Sequence, residues 1–365
     1  MKKILIAMAA FVVCAYGALW AGVASMKQRY SPREWPEHLG TLDEVAKRYP
    51  DAETNAAAMM LTKLMPGIDI TAIKEPLGKY YTAELERIGD QVQPPQGAVA
   101  NFLGQHDAAM NAVRDHILTA GPLRWETKFE RGHDAPIPNL LQQMQVTKLF
   151  TARALAKAAN HDATAWDDLH AVWLLDGGLW QRPELISTLI ALAGTRMVNA
   201  AAAKMPLPVP SWFSEVQSFD YRRNFAASYQ SEAWMIRHVP VKAIERPFID
   251  ACALDTSEGM RAWTDDLAKA GNCDLSPVRT IPVASWNLLG KVATPNLSGA
   301  WQRFARFRVE REATDKILAV RSGHLPPANT GCSDGTWMVA ANEVKFSRDI
   351  AVPAPGIKYA LAYRR

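Results

Sequence analysis

The sequence predicts a mainly α-helical protein with an N-terminal transmembrane helix, an antiparallel helical array and a small C-terminal β-hairpin or sheet. Three observations lead to this prediction. Residues 4–26 carry no charge and are almost wholly apolar. Apolar residues in most later segments recur at the spacing of an α-helix, and Pro or Gly separates these segments. After Gly323 the spacing changes to the alternation typical of β-strands.

The first segment, residues 1–26, is expected to be a membrane anchor. An α-helix needs about 20 apolar residues to cross the hydrocarbon core of a bilayer, and residues 4–26 supply them behind two lysines. Because basic residues favour the cytoplasmic side, we expect a single-pass inner-membrane protein with an extracytoplasmic C-terminal domain. Gly22-Val23-Ala24 also suits a signal peptidase, so the alternative is a cleaved signal peptide and a secreted or periplasmic protein.

The composition is that of an ordinary globular protein. Hydrophobic residues make up 48% of the chain and charged residues 21%, which is enough apolar material for a core. The 41 basic and 37 acidic residues nearly balance, and no long run has one sign. Since a nucleic-acid-binding protein needs a clustered basic face, we expect no nucleic-acid partner.

The predicted helical domain covers residues 41–322. Residues 27–40 before it are polar and contain prolines, which predicts a membrane-proximal linker. Thr41 and Glu44 have the spacing of a capping box. Residues 121–138 are rich in Gly and Pro and predict an irregular loop. Helices are predicted over residues 41–49, 51–65, 76–88, 101–118, 139–160, 162–180, 183–205, 211–238, 241–270 and 297–321.

The central segments have the clearest helical pattern. Asn139 is expected to cap the helix over 139–160. The helix over 183–205 is apolar on more than one face, yet it contains Arg196, so we expect it to be buried between neighbours. Short connections predict antiparallel hairpins. In the segment 162–180, a stripe at helical spacing is formed by Trp166, Leu169, Trp173 and Trp180.

The last part of the chain contains a candidate boundary and a change of structure. Residues 205–210, MPLPVP, form a rigid connector that could divide the helical domain. In the last helix, Arg306 and Glu310 are four residues apart and are expected to pair weakly on its exposed side. Residues 323–365 are predicted to form the small β-containing segment.

The order of parts resembles that of a group of uncharacterised bacterial proteins. The matching stretch covers about residues 287–365, from NLLGKVATPNLSGAW through ILAVRSGHLPP to KYALAYRR, and includes an Arg-x-Gly at Arg321 after the late helix. The resemblance implies one N-terminal membrane helix, a long extracytoplasmic helical body and a strand-rich tail. It implies no activity and no catalytic residues.

Four cysteines bear on the compartment. If the chain is exported, disulfides can persist, and Cys252 and Cys273 flank one predicted helical segment and are the disulfide candidates. Cys332 would then be a spare thiol, and Cys14 lies in the apolar span. The spacings fit no Cys-x-x-Cys metal or redox pattern.

A cluster of His and Asp residues provides the candidate metal ligands, because these side chains bind divalent metals in hydrolases. Asp167 and His170 are three residues apart and can share a helical face, whereas His161 precedes the turn. Asp162 also suits the start of a helix. The full candidate set is His133, His161, Asp162, Asp167 and His170.

Two function hypotheses follow. The leading hypothesis is a non-enzymatic binding or scaffold module of the cell envelope that binds a partner protein or ligand through its helical surface. It needs no cofactor and no catalytic residue, and the sequence contains neither a phosphate-binding glycine loop nor a Gly-x-Ser-x-Gly nucleophile turn. The alternative is a membrane-anchored metal-dependent hydrolase that uses the His/Asp cluster.

Overall fold

A computed structural model describes residues 2–84, 91–270, 280–327, 335–341, 343–348, 350–351, 358–359 and 362–364. It confirms the mainly helical fold with a small C-terminal sheet. The helices are α1 (Lys2–Tyr30), α2 (Val45–Arg48), α3 (Ala56–Leu64), α4 (Lys74–Glu84), α5 (Gly97–Gln105), α6 (Asp107–Thr119), α7 (Leu140–Ala159), α8 (Ala165–Trp180), α9 (Leu185–Ala202), α10 (Phe213–Ser218), α11 (Tyr221–Arg237), α12 (Arg246–Lys269), α13 (Leu288–Ala293) and α14 (Pro295–Arg321).

The strands are short and lie at the two ends of the domain. Strands β1 and β2 form a hairpin before the helical body, and β3, β4 and β7 form an antiparallel sheet after it. A separate antiparallel pair is formed by β5 and β6. Their bounds are β1 (Glu34–Trp35), β2 (Gly40–Thr41), β3 (Trp337–Ala340), β4 (Glu343–Phe346), β5 (Ile350–Ala351), β6 (Lys358–Tyr359) and β7 (Ala362–Arg364).

Helix α1 is long and apolar enough to cross a membrane, and most of it projects from the rest of the chain. Helix α9 is also long and apolar enough, but it is packed inside the domain, as its Arg196 predicted. Helix α1 contacts the domain from its middle onward: Tyr16 donates a hydrogen bond to the carbonyl of Ala243, and Val23 is buried against Ala251 and Leu254 of α12. The N-terminal span is therefore an exposed apolar helix attached to a folded body.

Residues 31–40, within the expected linker of residues 27–40, pack on the helical body. Trp35 and Leu39 are buried in the main core, and Glu34 pairs with Thr41 in the β1–β2 hairpin. The capping box of Thr41 and Glu44 is present and starts a short 3-10 turn that leads into α2. The apolar pair within a polar segment holds this hairpin on the helices.

The middle of the body is built from α7, α8 and α9, which pack against one another. Asn139 caps α7 as predicted, because its side-chain oxygen accepts a hydrogen bond from the amide of Gln142 at 3.1 Å. Helix α6 packs on α8, and α11 and α14 pack on α9. Helix α8 is thus covered on several sides by helices from distant parts of the chain.

Two segments expected to be single helices are each divided in two. The segment 101–118 breaks at His106 between α5 and α6. The segment 211–238 breaks at Phe219, whose backbone is extended, and Asp220 then caps α11 by accepting the amide of Arg223 at 3.0 Å. The second break turns the chain beside α8 and creates one wall of the groove described below.

The connector at residues 205–210 lies against the main core. The indole of Trp166 donates a hydrogen bond to the carbonyl of Pro206 at 2.8 Å. One hydrophobic cluster includes buried residues from both sides of this connector. The helices before and after it therefore share one core.

The C-terminal sheet closes a second, smaller core. Strand β4 lies between β3 and β7, with Val344 opposite Val339 and Tyr363. Trp337 and Phe346 pack with the side chains of α14 in this cluster. The predicted change to strand structure after Gly323 is therefore confirmed for the described strands.

The prediction that Arg306 and Glu310 pair weakly on the exposed side of α14 is wrong. Arg306 and Glu310 are both buried, with Arg306 Nε 2.8 Å from Glu310 Oε1. Arg196 of α9 also donates to Glu310, with Nη2 at 2.9 Å from Oε1. A carboxylate that serves two guanidinium groups can be buried, and the second group comes from a distant helix that the local spacing does not reveal.

Candidate ligand-binding groove

A cleft of about 1020 Å³ runs along one face of α8. Its walls are the end of α6 with residues 117–123 on one side and α10 with α11 on the other. Leu39, Arg48 and Tyr49 close one end. The volume is at the upper end of the range of small-molecule and peptide pockets.

The floor of the groove is a stripe along α8. His170, Leu174, Gly177 and Gln181 recur every three to four residues and therefore lie on one face. At about 1.5 Å per residue this stripe is about 16 Å long. A side chain at Gly177 would meet open space, so the floor is open above this residue.

Gly178, the next residue, has the opposite role. A Cβ atom there would lie 2.9 Å from the carbonyl oxygen of Leu123 and would also clash with the ring of Trp125. Only glycine lets the irregular loop after α6 approach α8 this closely. The Gly-Gly pair therefore brings one wall against the helix and leaves the floor open.

Aromatic rings fix the opposite wall. The ring of Phe219 lies between Trp173 and Trp180, with centroid distances of 5.6 Å and 5.4 Å. The indole of Trp173 donates to Glu215 at 3.4 Å. Packed aromatic side chains of this kind have few accessible rotamers, so the wall is preorganised.

One end of the groove is basic. The guanidinium of Arg48 donates to the carbonyl of Leu39 at 2.7 Å and to Gln230 at 3.0 Å, which fixes its position. Arg223, two turns before Gln230 on α11, is exposed and also lines the groove. Within the part of the chain that the structure describes, no carboxylate forms an ion pair with Arg223. This end can accept a carboxylate, since guanidinium groups bind planar anions well.

The other end carries an acid and an imidazole. The ring of His170 stacks on Trp212 at 4.5 Å with an interplanar angle of 9°. Burial lowers the pKa of His170, and the charges of Glu215 and Asp167 oppose that change. Glu215 is exposed at this end. The groove therefore has an apolar middle between ends of opposite charge.

Behind the floor, a buried charge cluster holds α8 in place. The carboxylate of Asp168 is fully buried and is bound by Arg153 at 2.5 and 2.9 Å and by Lys157 at 2.9 Å. Arg153 also donates to Asn111 of α6 at 3.0 Å. This cluster joins α6, α7 and α8.

Two turns further along α8, Asp176 is buried without a basic partner in the described chain. The hydroxyl of Thr195 donates to it at 3.2 Å and accepts from the indole of Trp180 at 3.2 Å. Burial raises the pKa of Asp176 well above its usual value. The neutral acid is therefore the form that this site favours.

The end of α8 is tied to the irregular loop. Arg182 pairs with Glu184 at 2.7 Å, and both are buried. Its remaining donors bind the carbonyls of Glu126 at 2.9 Å and Pro136 at 2.8 Å. The loop that forms one groove wall is thus fixed to the frame by backbone contacts.

The candidate metal ligands are placed at opposite ends of α8. Asp162 accepts the amide of Thr164 at 2.9 Å before the helix begins, and His161 is exposed beside it. His133 lies in a 3-10 segment (Phe129–Asp134) whose following residues bind Arg182 after the helix ends. The 16 residues of α8 correspond to about 24 Å.

The other two candidates differ in environment. Asp167 is exposed in the first turn of α8, and His170 faces the groove. Among the described residues, no three His, Cys, Asp or Glu side chains are grouped so that they could hold a metal ion. The metal site stays a prediction that no grouping of these side chains supports.

The cysteine predictions also stay open. Cys252 is buried in α12 and Cys14 is exposed on α1. Cys273 and Cys332 lie outside the described residues. The Cys252–Cys273 pair is therefore still a prediction.

Sequence reasoning missed the groove because it has no motif. Its floor, walls and basic end come from four separate segments. The one local signal is the pair Gly177-Gly178 inside an otherwise apolar helix, since glycine in a helix interior often has a packing or functional reason. No family model, curated protein or solved structure matches this chain, and the groove is interpreted from its own geometry.

Proposed function

We propose that this protein is a membrane-anchored, non-enzymatic binding protein that holds an extended peptide segment of a partner protein in the groove along α8. The observation that carries the proposal is the open floor at Gly177, beside the apolar side chain of Leu174, between a basic end and an acidic end. A groove about 16 Å long accommodates about five residues of extended chain at about 3.3 Å each.

The polarity of the groove favours a peptide with charged ends and apolar middle residues. Arg48 and Arg223 offer donors for a carboxylate at one end, and Glu215 offers an acceptor for an ammonium group at the other. Apolar side chains of the peptide would pack on Trp173 and Leu174. An amphiphile with one anionic end would leave Glu215 without a cationic partner.

The anchor follows from α1, whose apolar surface is exposed. An exposed helix of this length is stable when lipid covers it. In the proposed arrangement the helical domain lies on the extracytoplasmic side of the inner membrane, because Lys2 and Lys3 favour retention of the N-terminus in the cytoplasm. The partner would then be another protein of the cell envelope.

The proposal is tested by fluorescence anisotropy with the full chain in lipid nanodiscs. The probes are fluorescent pentapeptides with lysine at one end, aspartate at the other and three apolar residues between them, in both chain directions. We expect one direction to bind at least about tenfold more tightly than the same peptide with neutral ends, a difference of about 1.4 kcal/mol. Equal binding of charged and neutral peptides would contradict the proposal.

A blocking variant makes the test specific to the groove. Gly177→Leu fills the open space above the floor, and we expect peptide binding to be lost while the thermal midpoint changes little. Gly104→Leu is the matched control, because Gly104 is an exposed helical glycine on α5 that also faces open space. If both variants bind the peptide like the wild type, the groove is not the binding site.

A further inference from the structure

Outside α1, exposed apolar residues concentrate in two neighbouring segments. The connector between α11 and α12, residues 238–245, exposes Ile244 by 76%, and Phe248 follows in the first turn of α12. Helix α13 exposes Leu288 by 66% and Val292 by 80%. Clustered apolar exposure of this kind marks a surface that contacts something other than water.

Contacts between α1 and α12 give the position of the connector along the span. The hydroxyl of Tyr16 donates to the carbonyl of Ala243 at 2.9 Å. Further along α1, Val23 packs against Ala251 of α12. Helices α1 and α12 therefore run in the same direction. The connector is level with Tyr16, which lies about 10 Å from Val23 toward the N-terminus of α1 at about 1.5 Å per residue.

Helix α13 lies beside the same part of α12. The side-chain amide of Asn287 donates to the carbonyl of Cys252 and to the side chain of Thr256, both at 2.9 Å. Asn287 also caps α13 by accepting the amide of Gly290 at 2.7 Å. Because Cys252 is next to Ala251, α13 is level with Val23, where α1 meets the domain.

We propose that α13 and the α11–α12 connector form a second membrane-contact surface that rests in the bilayer leaflet around the C-terminal half of α1. The inference rests on the membrane anchor of the proposed function. Helices with an exposed apolar face bury it about 5–10 Å into the boundary between headgroups and acyl chains. Helix α13, level with Val23, is about 5 Å from the end of the apolar span at Met26, near the shallow end of this range, and the connector, level with Tyr16, is about 15 Å from that end, at the depth of the acyl chains.

The chemistry of the surface also fits phospholipid. Trp286 is exposed beside α13, and indole rings favour the membrane–water boundary. Lys242 and Lys291 are exposed on the connector and on α13, where their ammonium groups can reach lipid phosphates while the apolar residues contact acyl chains. The surface would hold the domain close to the bilayer and fix how the groove faces the envelope.

Depth-dependent quenching tests this inference in the full chain in nanodiscs of phosphatidylcholine and phosphatidylglycerol. A background without the four native cysteines carries one labelled cysteine at a time, at Ile244→Cys or Val292→Cys. Val12→Cys reports the span itself, and Leu141→Cys, at an exposed site on α7, which packs on α8 and α9, is the comparison outside the proposed surface. Lipids with a nitroxide on the acyl chain quench only labels that reach the bilayer.

The expected result is loss of fluorescence at positions 12, 244 and 292 and none at position 141. Quenching at position 12 alone would overturn the second contact surface and leave the anchor intact. Absence of quenching at all four positions would overturn the anchor together with the inference. Circular dichroism of each labelled variant confirms that it has folded.

Discussion

Helix α8 has two faces whose polar groups have different surroundings. On the packed face, the buried carboxylate of Asp168 is paired with Arg153 and with Lys157. On the groove face, Gly177 faces open space. Arg223 lines the same groove and forms no ion pair with any carboxylate in the described chain. A frame whose charges are satisfied can hold a surface whose charges and apolar groups are available to a ligand.

This difference separates two kinds of residue. Substitutions on the packed face should change the stability of the domain, because they leave buried charges without partners. Substitutions on the groove face should change binding and leave stability nearly unchanged, since exposed sites usually tolerate replacement within about 0.5 kcal/mol.

The strongest way to break the packed face is Asp168→Ala. Removing the carboxylate takes the buried partner from Lys157 and, among the described residues, leaves Arg153 with only its longer ion pair to the exposed Asp107 at 3.3 Å, and we expect a loss of about 3–5 kcal/mol in the free energy of unfolding. The measurement is the denaturant midpoint of the full chain in nanodiscs, followed by circular dichroism.

The control for this prediction is Asp115→Ala. Asp115 is also paired with an arginine, Arg114, but its side chain is 60% exposed, and exposed pairs contribute about 0–1 kcal/mol. Equal effects of the two substitutions would show that burial of Asp168 does not govern the stability of the frame.

A pH-dependent effect on the same face is expected at Asp176. Burial raises the pKa of this carboxyl in the folded state, so its contribution to stability is fully present below the unfolded pKa near 3.8. That contribution is lost as the pH rises toward the folded pKa, by about 1.4 kcal/mol per pH unit. Asp176→Asn should therefore have nearly wild-type stability near pH 4 and exceed the wild type at pH 7.

The check is a series of thermal midpoints between pH 4 and pH 8 for the wild type and for Asp176→Asn. Asp167→Asn serves as the comparison because Asp167 is exposed on the same helix. A constant difference between Asp176→Asn and the wild type at every pH would contradict the buried, neutral form of Asp176.

Local signals in the sequence predicted much of the helical frame. Asn139 and the Thr41–Glu44 box mark helix starts that the structure confirms. The break at Phe219 was missed because the apolar spacing continues through it, and only the cap at Asp220 reveals it. The burial of Trp35 was also missed, since its neighbours in sequence are polar and its partners lie in distant helices.

The groove itself could not be predicted, for a physical reason. Arg48, Gly177 and Arg223 come from three distant segments, and their common position depends on how α2, α8 and α11 pack. The five candidate metal ligands show the converse: residues that the sequence groups together need not meet in the fold. They are close in sequence or similar in type, yet the length of α8 separates His133 from His161.

The measurement that most directly tests the central claim is a charge swap between Arg223 and the acidic end of the peptide. We expect Arg223→Glu to weaken binding of the aspartate-ended peptide about tenfold, or about 1.4 kcal/mol, because attraction becomes repulsion. A peptide with lysine at both ends should bind this variant better than it binds the wild type, with no change in thermal midpoint. If Arg223→Glu binds both peptides as the wild type does, the groove along α8 does not hold a charged peptide end.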